Sequence, residues 1–401
     1  MNQPESALFD NAAHILDNFQ IEIPSWGFAN TGTRFGKFVQ PAAASTLEEK
    51  FSDAAEVHRL TGATPTLALH VLWDLPRGLA DVSEVQTLER RAGIRSGSIN
   101  PNLFQDQQYK YGSLCNPSAE IRAGALQHVF DSIEIAKRLH ARDISLWLAD
   151  GSNYPGTQSI RKRIEWLQAG LNDAHRQLAR DQRLLVEYKP FEPAFYHTDI
   201  ADWGMSSQLC RAMGPQAFVL VDTGHHYLSQ NIEQIVAWLL HLDLLGGFHF
   251  NDRRYADDDL TLGSIDPYQI FRIFHEICQH SQPSQSQNPL NRIAFMIDQS
   301  HNLKGKIEAM IQTVVTAQEL WLKAALIDRD QLAVLQQSCD LVAAEELFRA
   351  AFWRDVRPLV AAWRESRRMA ANPLAALQEG GYVERITRER ASKQSAVSSY
   401  A

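Results

Sequence analysis

"GGFHFNDRRYADDDLTLGS", residues 246–264, starts as a short apolar run, carries His249 near the end of that run, and then places Asp257, Asp258 and Asp259 side by side in a polar loop. Packed like charges repel, so such a loop either stands in open water or wraps a cation. The run before it is too short for a helix and too apolar for an edge strand. It reads as a strand buried on both faces, which is a parallel-sheet signal.

Working outward, the same grammar recurs. "TLALHVLW" (66–73), "GIRSGSIN" (93–100), "DISLWLAD" (143–150), "RLLVEYK" (183–189), "AFVLVD" (217–222) and "RIAFMID" (292–298) are further β-rich runs, and amphipathic stretches at 118–141, 158–180 and 231–243 lie between them. "IPSWGFANTG" (23–32) supplies one more strand, ahead of a helix at 46–60, which brings the count to eight. Strand and helix in strict alternation build βαβ units, and eight units point to a closed (β/α)8 TIM barrel, α/β in class, rather than an open sheet. The barrel is expected over 1–302 with a short N-terminal helix. Residues 303–401 are expected as a C-terminal helical extension that supplies oligomer contacts. "HSQPSQSQNP" (280–289) reads as a polar surface loop.

Composition narrows the function. A net charge of −8 and 45% apolar residues leave no basic surplus for phosphate backbones or anionic lipid, so the expected partner is a small molecule, with no nucleic acid and no membrane. The first residues, MNQPESALFD, have no signal-peptide pattern, and the most apolar stretch is interrupted by His241 and Asp243. The four cysteines are far apart and lack metal-binding spacing. A cytoplasmic protein with reduced thiols is the expectation.

In such a barrel, chemistry sits where strands end, so the polar residues that close apolar runs are the informative ones. Glu187, Asp222, His249 and Asp298 close four successive runs, with Lys189 two residues beyond Glu187 and His225 three beyond Asp222. One acid at a strand end usually caps the next helix. Four converging on one mouth cannot all stay charged and unpaired in a dry site, and divalent cations resolve the conflict. The ligand set is carboxylate oxygen with isolated imidazoles and no cysteine, which suits Mn²⁺, Mg²⁺ or Co²⁺ better than tetrahedral zinc. Glu187, Asp222, His225, His249, Asp257, Asp259 and Asp298 are too many ligands for one ion. Two sites sharing Glu187 are therefore expected, with Asp258 facing out.

The strings "LHVLWD" (69–74), "WLADGSNYPG" (147–156), "VEYKPFEP" (186–193), "VDTGHH" (221–226), "GFHFNDRRYADDDLTLGSI" (247–265) and "MIDQSHN" (296–302) resemble the L-rhamnose isomerases, and more loosely the wider xylose isomerase group. The resemblance covers most of 23–302. It implies a first metal on Glu187, Asp222, His249 and Asp298, and a second on Glu187, His225, Asp257 and Asp259, with Mn²⁺ the leading ion. It also implies an aldose–ketose isomerase turning L-rhamnose into L-rhamnulose, with relatives such as L-mannose or D-allose, by a two-metal 1,2-hydride shift.

In that chemistry His70 opens the sugar ring, Lys189 donates to O1, and a water near Asp257 takes the O2 proton. Trp73, Phe104 and Trp147 form apolar walls against sugar carbons. Phe35 resembles the residue that relatives insert into a neighbouring subunit's site, which implies a homo-oligomer, a tetramer. The competing reading is a metal-dependent phosphoesterase of the endonuclease-like barrel group. It would need cationic side chains for phosphate, whereas the candidate groups here are acidic apart from Lys189.

Overall fold

The computed structural model describes residues 3–30, 39–191, 197–280, 292–300 and 303–391. Eight parallel strands follow one another in chain order around the sheet: β1 Ile23–Pro24, β2 Thr66–His70, β3 Arg95–Asn100, β4 Asp143–Leu146, β5 Arg183–Glu187, β6 Ala217–Asp222, β7 Leu245–Phe250 and β8 Ala294–Ile297. The last strand returns to the first, because Glu22 bridges Met296 and exchanges backbone hydrogen bonds with Phe295 and Ile297 at 2.8 and 2.9 Å. The expected TIM barrel is what forms. Of the stretch read as a strand over 23–32, the described residues 23–30 give a strand at Ile23–Pro24 and then coil into a 3₁₀ turn over Ser25–Phe28.

After the N-terminal helix α1 Gln3–Asp17, the barrel helices follow their strands: α2 Leu47–Thr61, α3 Val82–Ala92, α4 Ala119–Arg138, α5 Ile160–Arg176, α6 Trp203–Met213, α7 Ile232–His241, α8 Pro267–His280 and α9 Lys306–Ala325. Local chemistry sets their ends. Thr46 and Glu49 form a capping box at the start of α2, and Gly62 closes it at φ 71°. The helix α9 packs against both α8 and α2, so the ring around the sheet is completed by a helix from within 303–401. Five shorter helices follow, of which Tyr382–Arg390 is locked onto α2 by buried Arg390 and Tyr382 converging on Asp53. Among the described residues no helix is long and apolar enough to cross a membrane.

Strand side chains alternate, and the inward set decides what the barrel holds. Leu185, Leu220 and Met296, all at or below 2% exposure, cluster as an apolar plug inside the barrel. Each lies two residues before Glu187, Asp222 or Asp298, so those carboxylates stand on the plug at the C-terminal mouth.

Candidate active site

The mouth is built from strand ends. Glu187 ends β5, Asp222 ends β6, His249 lies within β7, and Asp298 follows β8. Parallel pairing in register brings Asp222 beside His249. Glu187 is the centre of charge contacts: its Oε1 is 3.1 Å from His225 Nδ1 and its Oε2 is 3.2 Å from His249 Nδ1. His225 Nδ1 also lies 3.1 Å from the Tyr188 carbonyl, which as a donor contact leaves Nε2 facing Asp257 Oδ2 at 3.4 Å and Asp222 Oδ2 at 3.9 Å. Lys189 Nζ lies 2.5 Å from Asp257 Oδ2.

At the mouth, two groups of three have ligand atoms mutually within 4.8 Å: Glu187, Asp222 and His249, and Asp222, His225 and Asp257. Their common member is Asp222, although Glu187 reaches both imidazoles. Asp298 and Asp259 stand beside these groups with partners of their own. Trp26 Nε1 donates to Asp298 Oδ1 at 2.7 Å, and Ser300 Oγ donates to Asp259 Oδ2 at 2.9 Å. Asp258 is half-buried and ties the loop by accepting from the backbone N–H groups of Arg254 and Tyr255 at 2.6 and 2.9 Å.

The electrostatics are those of an overfull acidic site. Burial drives Asp222 up to about 7, with Asp257, Glu187 and Asp298 adding to the rise against the pull of His225. Burial also lifts Asp298 and, more strongly, Asp259, whose neighbours Asp257 and Asp298 push the same way. Burial would discharge the imidazoles, yet Asp222 and Asp257 hold His225 up at about 9, and Glu187 holds His249 at about 9. Glu187 stays below its ordinary value, because His249, His225 and Lys189 outweigh burial. Protons on two buried imidazoles therefore do the work that cations would do. Asp222 Oδ2 and His249 Nε2 are buried without a hydrogen-bond partner, and carboxylate oxygens with imidazole nitrogens are the donor set of a divalent ion. The residues fit such an ion.

An aromatic cluster adjoins the carboxylates through Trp26 and Trp147. His70, at the end of β2, stacks on Trp73 at 3.9 Å, and Phe104 meets His70, Trp73 and Trp147 at 5.5, 6.0 and 4.8 Å between ring centroids. Lys189 Nζ lies 5.3 Å from the Trp147 ring centre. Burial lowers His70 to about 4, so it is neutral near pH 7, and its Nδ1 lies 3.2 Å from the Val71 carbonyl. Its backbone is fixed by Asp74, which accepts from the His70 N–H at 2.7 Å, from Lys50 Nζ at 2.6 Å and from Ser25 Oγ at 2.5 Å. Phe35 lies outside the described residues.

Several participants escaped sequence reading. Trp26 belongs to a turn read as strand, and only its indole contact with Asp298 and its ring contacts with His70 and Trp73 place it in the site. Asn251 Nδ2 and the Gly224 N–H hold Asp222 Oδ1 at 3.0 and 2.6 Å. A Cβ on Gly224 would lie 2.8 Å from both Asn251 Oδ1 and Asp257 Oδ1, so the loop needs glycine there. The glycine between an aspartate and two histidines in "DTGHH" was the available signal.

Comparison with known proteins agrees with this fold. The sequence profile of the xylose isomerase-like TIM barrel matches residues 66–284. A probable sugar isomerase of Rhizobium meliloti is 36% identical over 378 residues, 93% of this chain and 86% of that protein. A second, of Mesorhizobium japonicum, is 36% identical over 381 residues, 94% and 87% of the two chains. Among solved structures, a D-allulose 3-epimerase from Methylomonas sp. superposes with a TM-score of 0.56 at 14% identity, covering 75% of this chain and 98% of that one. At that identity the likeness speaks for the fold alone.

Proposed function

The chain belongs to the xylose isomerase-like TIM barrel family, and from that premise we propose that it is an aldose–ketose isomerase converting L-rhamnose to L-rhamnulose, with L-mannose or D-allose as further substrates. The sugar-isomerase character of its relatives and the overfull acidic mouth support this together. The carrying observation is the group Glu187, Asp222 and His249 at the strand ends, with the aromatic cluster joined to the same mouth through Trp26 on Asp298 and Trp147 beside Lys189.

Glu187, Asp222, His249 and Asp298 would hold one divalent cation, and Glu187, His225, Asp257 and Asp259 a second, with Mn²⁺ favoured over Co²⁺ or Mg²⁺. When bound, such ions polarise a carbonyl and stabilise a developing alkoxide. The side chains do the rest. Neutral His70 exchanges a proton between the anomeric hydroxyl and the ring oxygen, which opens the sugar. Lys189 donates to O1 of the open chain. Asp257, held ionised because His225 and Lys189 outweigh its burial, accepts a hydrogen bond from a water that carries off the O2 proton. Trp26, Trp73, Phe104 and Trp147 pack on carbon and keep bulk water away, so the hydrogen on C2 passes to C1 within the substrate.

Phosphate chemistry would ask for cations facing the carboxylates. Lys189 is a single ammonium among five carboxylates, and Arg253 points its guanidinium at the carbonyls of Thr223 and Tyr227. Assembly as a homotetramer, with Phe35 reaching a neighbouring subunit, belongs to the same proposal and is tested by light scattering of the intact chain. The function itself is tested with C2-deuterated L-rhamnose and Mn²⁺. Deuterium should arrive at C1 of L-rhamnulose, and a label lost to solvent would remove the hydride route. Failure to form any ketose from L-rhamnose, L-mannose or D-allose would remove the substrate assignment.

A further inference from the structure

The position of Lys189 bears on how the second cation group fills. Its ammonium lies 2.5 Å from Asp257 Oδ2, with both side chains at or below 10% exposure, and the same oxygen lies 3.4 Å from His225 Nε2. Asp257 and His225 belong to the proposed second site, and their ligand atoms gather with one of Asp222. Oδ2 is thus the Asp257 oxygen turned toward His225, and an ion held between these two side chains would meet the ammonium. Two cations cannot share that oxygen in a nearly dry pocket without strong repulsion.

We propose that Lys189 is the built-in counter-ion of the second cation group, and that a divalent ion enters only as the ammonium leaves Asp257 and swings along the Trp147 face toward the pocket. The Trp147 ring centre lies 5.3 Å from Nζ, so the moving charge keeps an aromatic partner. Filling of the second group and availability of Lys189 to a substrate oxygen then become one event. Among the described residues no lysine ammonium pairs with Glu187, Asp222 or His249, so the first group fills without a side chain having to swing away, ahead of the second. This inference rests on the two-cation reading above.

The test is titration of the cation-free full chain with Mn²⁺ alone, followed by calorimetry and by the electron paramagnetic resonance signal of free Mn²⁺, without sugar. The wild type should bind two ions per chain, one tightly and one weakly. Lys189→Met should tighten the weak class by about tenfold or more, equivalent to about 1.4 kcal/mol, and alter the tight class far less. Lys189→Arg keeps the charge and grips Asp257 with a fork, so it should weaken the second class further. These opposite directions keep the test decisive if one variant folds poorly. Two ions per chain with the weak class unchanged in both variants would overturn the counter-ion role alone. One ion per chain in every protein would overturn the two-cation reading and this inference with it.

Discussion

The two ends of the barrel bury the same kinds of residue and treat them differently. At the N-terminal end Glu22 lies inside the barrel, its Oε1 accepting from Ser98 Oγ at 2.5 Å and from the Ser98 N–H at 2.9 Å, while Arg183 Nε reaches Asp143 Oδ1 at 2.7 Å. Burial raises Glu22 against the lowering by the Ser98 hydrogen bonds, and uncharged donors meet its Oε1. At the mouth, beyond the plug of Leu185, Leu220 and Met296, five carboxylates meet two imidazoles and a lysine, and Asp222 Oδ2 and His249 Nε2 still lack partners. A buried polar group that is fully matched contributes to the fold; one left unmatched is held ready for something that arrives later.

The strongest way to break this contrast is to remove ligands from the mouth only. Asp257→Asn with Asp259→Asn keeps the loop's shape and should raise the barrier to turnover by several kcal/mol, roughly a thousandfold, with one ion fewer per chain and a lowered but still cooperative thermal transition, because buried Lys189 loses its carboxylate. Normal turnover and two bound ions would reduce the aspartate run to a solvated loop.

Next comes cation removal. Without divalent ions His225 and His249 titrate in the folded chain at about 9, above an unfolded value near 6.5, so the stability they lend is complete below 6.5 and is lost as pH rises toward 9. Urea denaturation in EDTA should show a fall on the order of a few kcal/mol across that window. Mn²⁺ at a hundredfold over its dissociation constant should add about 2.7 kcal/mol, most visibly at the alkaline end, where the imidazoles give up their protons. A pH-independent stability in EDTA would mean that the imidazoles are already neutral.

The opposite end gives a smaller effect of another kind. A Cβ at residue 97 would overlap the Glu22 carboxylate, with 1.6 Å to Oε2, so Gly97→Ala should cost about 1–3 kcal/mol in stability while leaving metal binding and turnover per folded molecule alone. Smallest of all is Asp258→Asn. The amide oxygen can still accept from Arg254 and Tyr255, so stability should change by less than about 0.5 kcal/mol and turnover should hold.

How much could be read in advance follows from how each feature is encoded. Glu187, Asp222 and Asp298 close apolar runs, and the period of two places each above an inward Leu or Met, so their convergence needed only the barrel to be inferred. Trp26 and Asn251 carried no such signature, because an indole after a proline or an asparagine after a strand has many possible neighbours. The last site aspartate, Asp298, meets Trp26 across 272 residues of chain. Nothing in local propensity sets such a meeting.

The sequence by itself determined the alternation of strand and helix, the count of eight, and the acids at the strand ends, since all of these are periodic and local. The tertiary structure alone decided that Lys189 pairs with Asp257, that Asp222 lies in both ligand groups, and that Glu22 is satisfied while the mouth is not. Those outcomes depend on distances between strands that are far apart in the chain. In a buried site a few tenths of an ångström separate a matched carboxylate from one that waits for a cation.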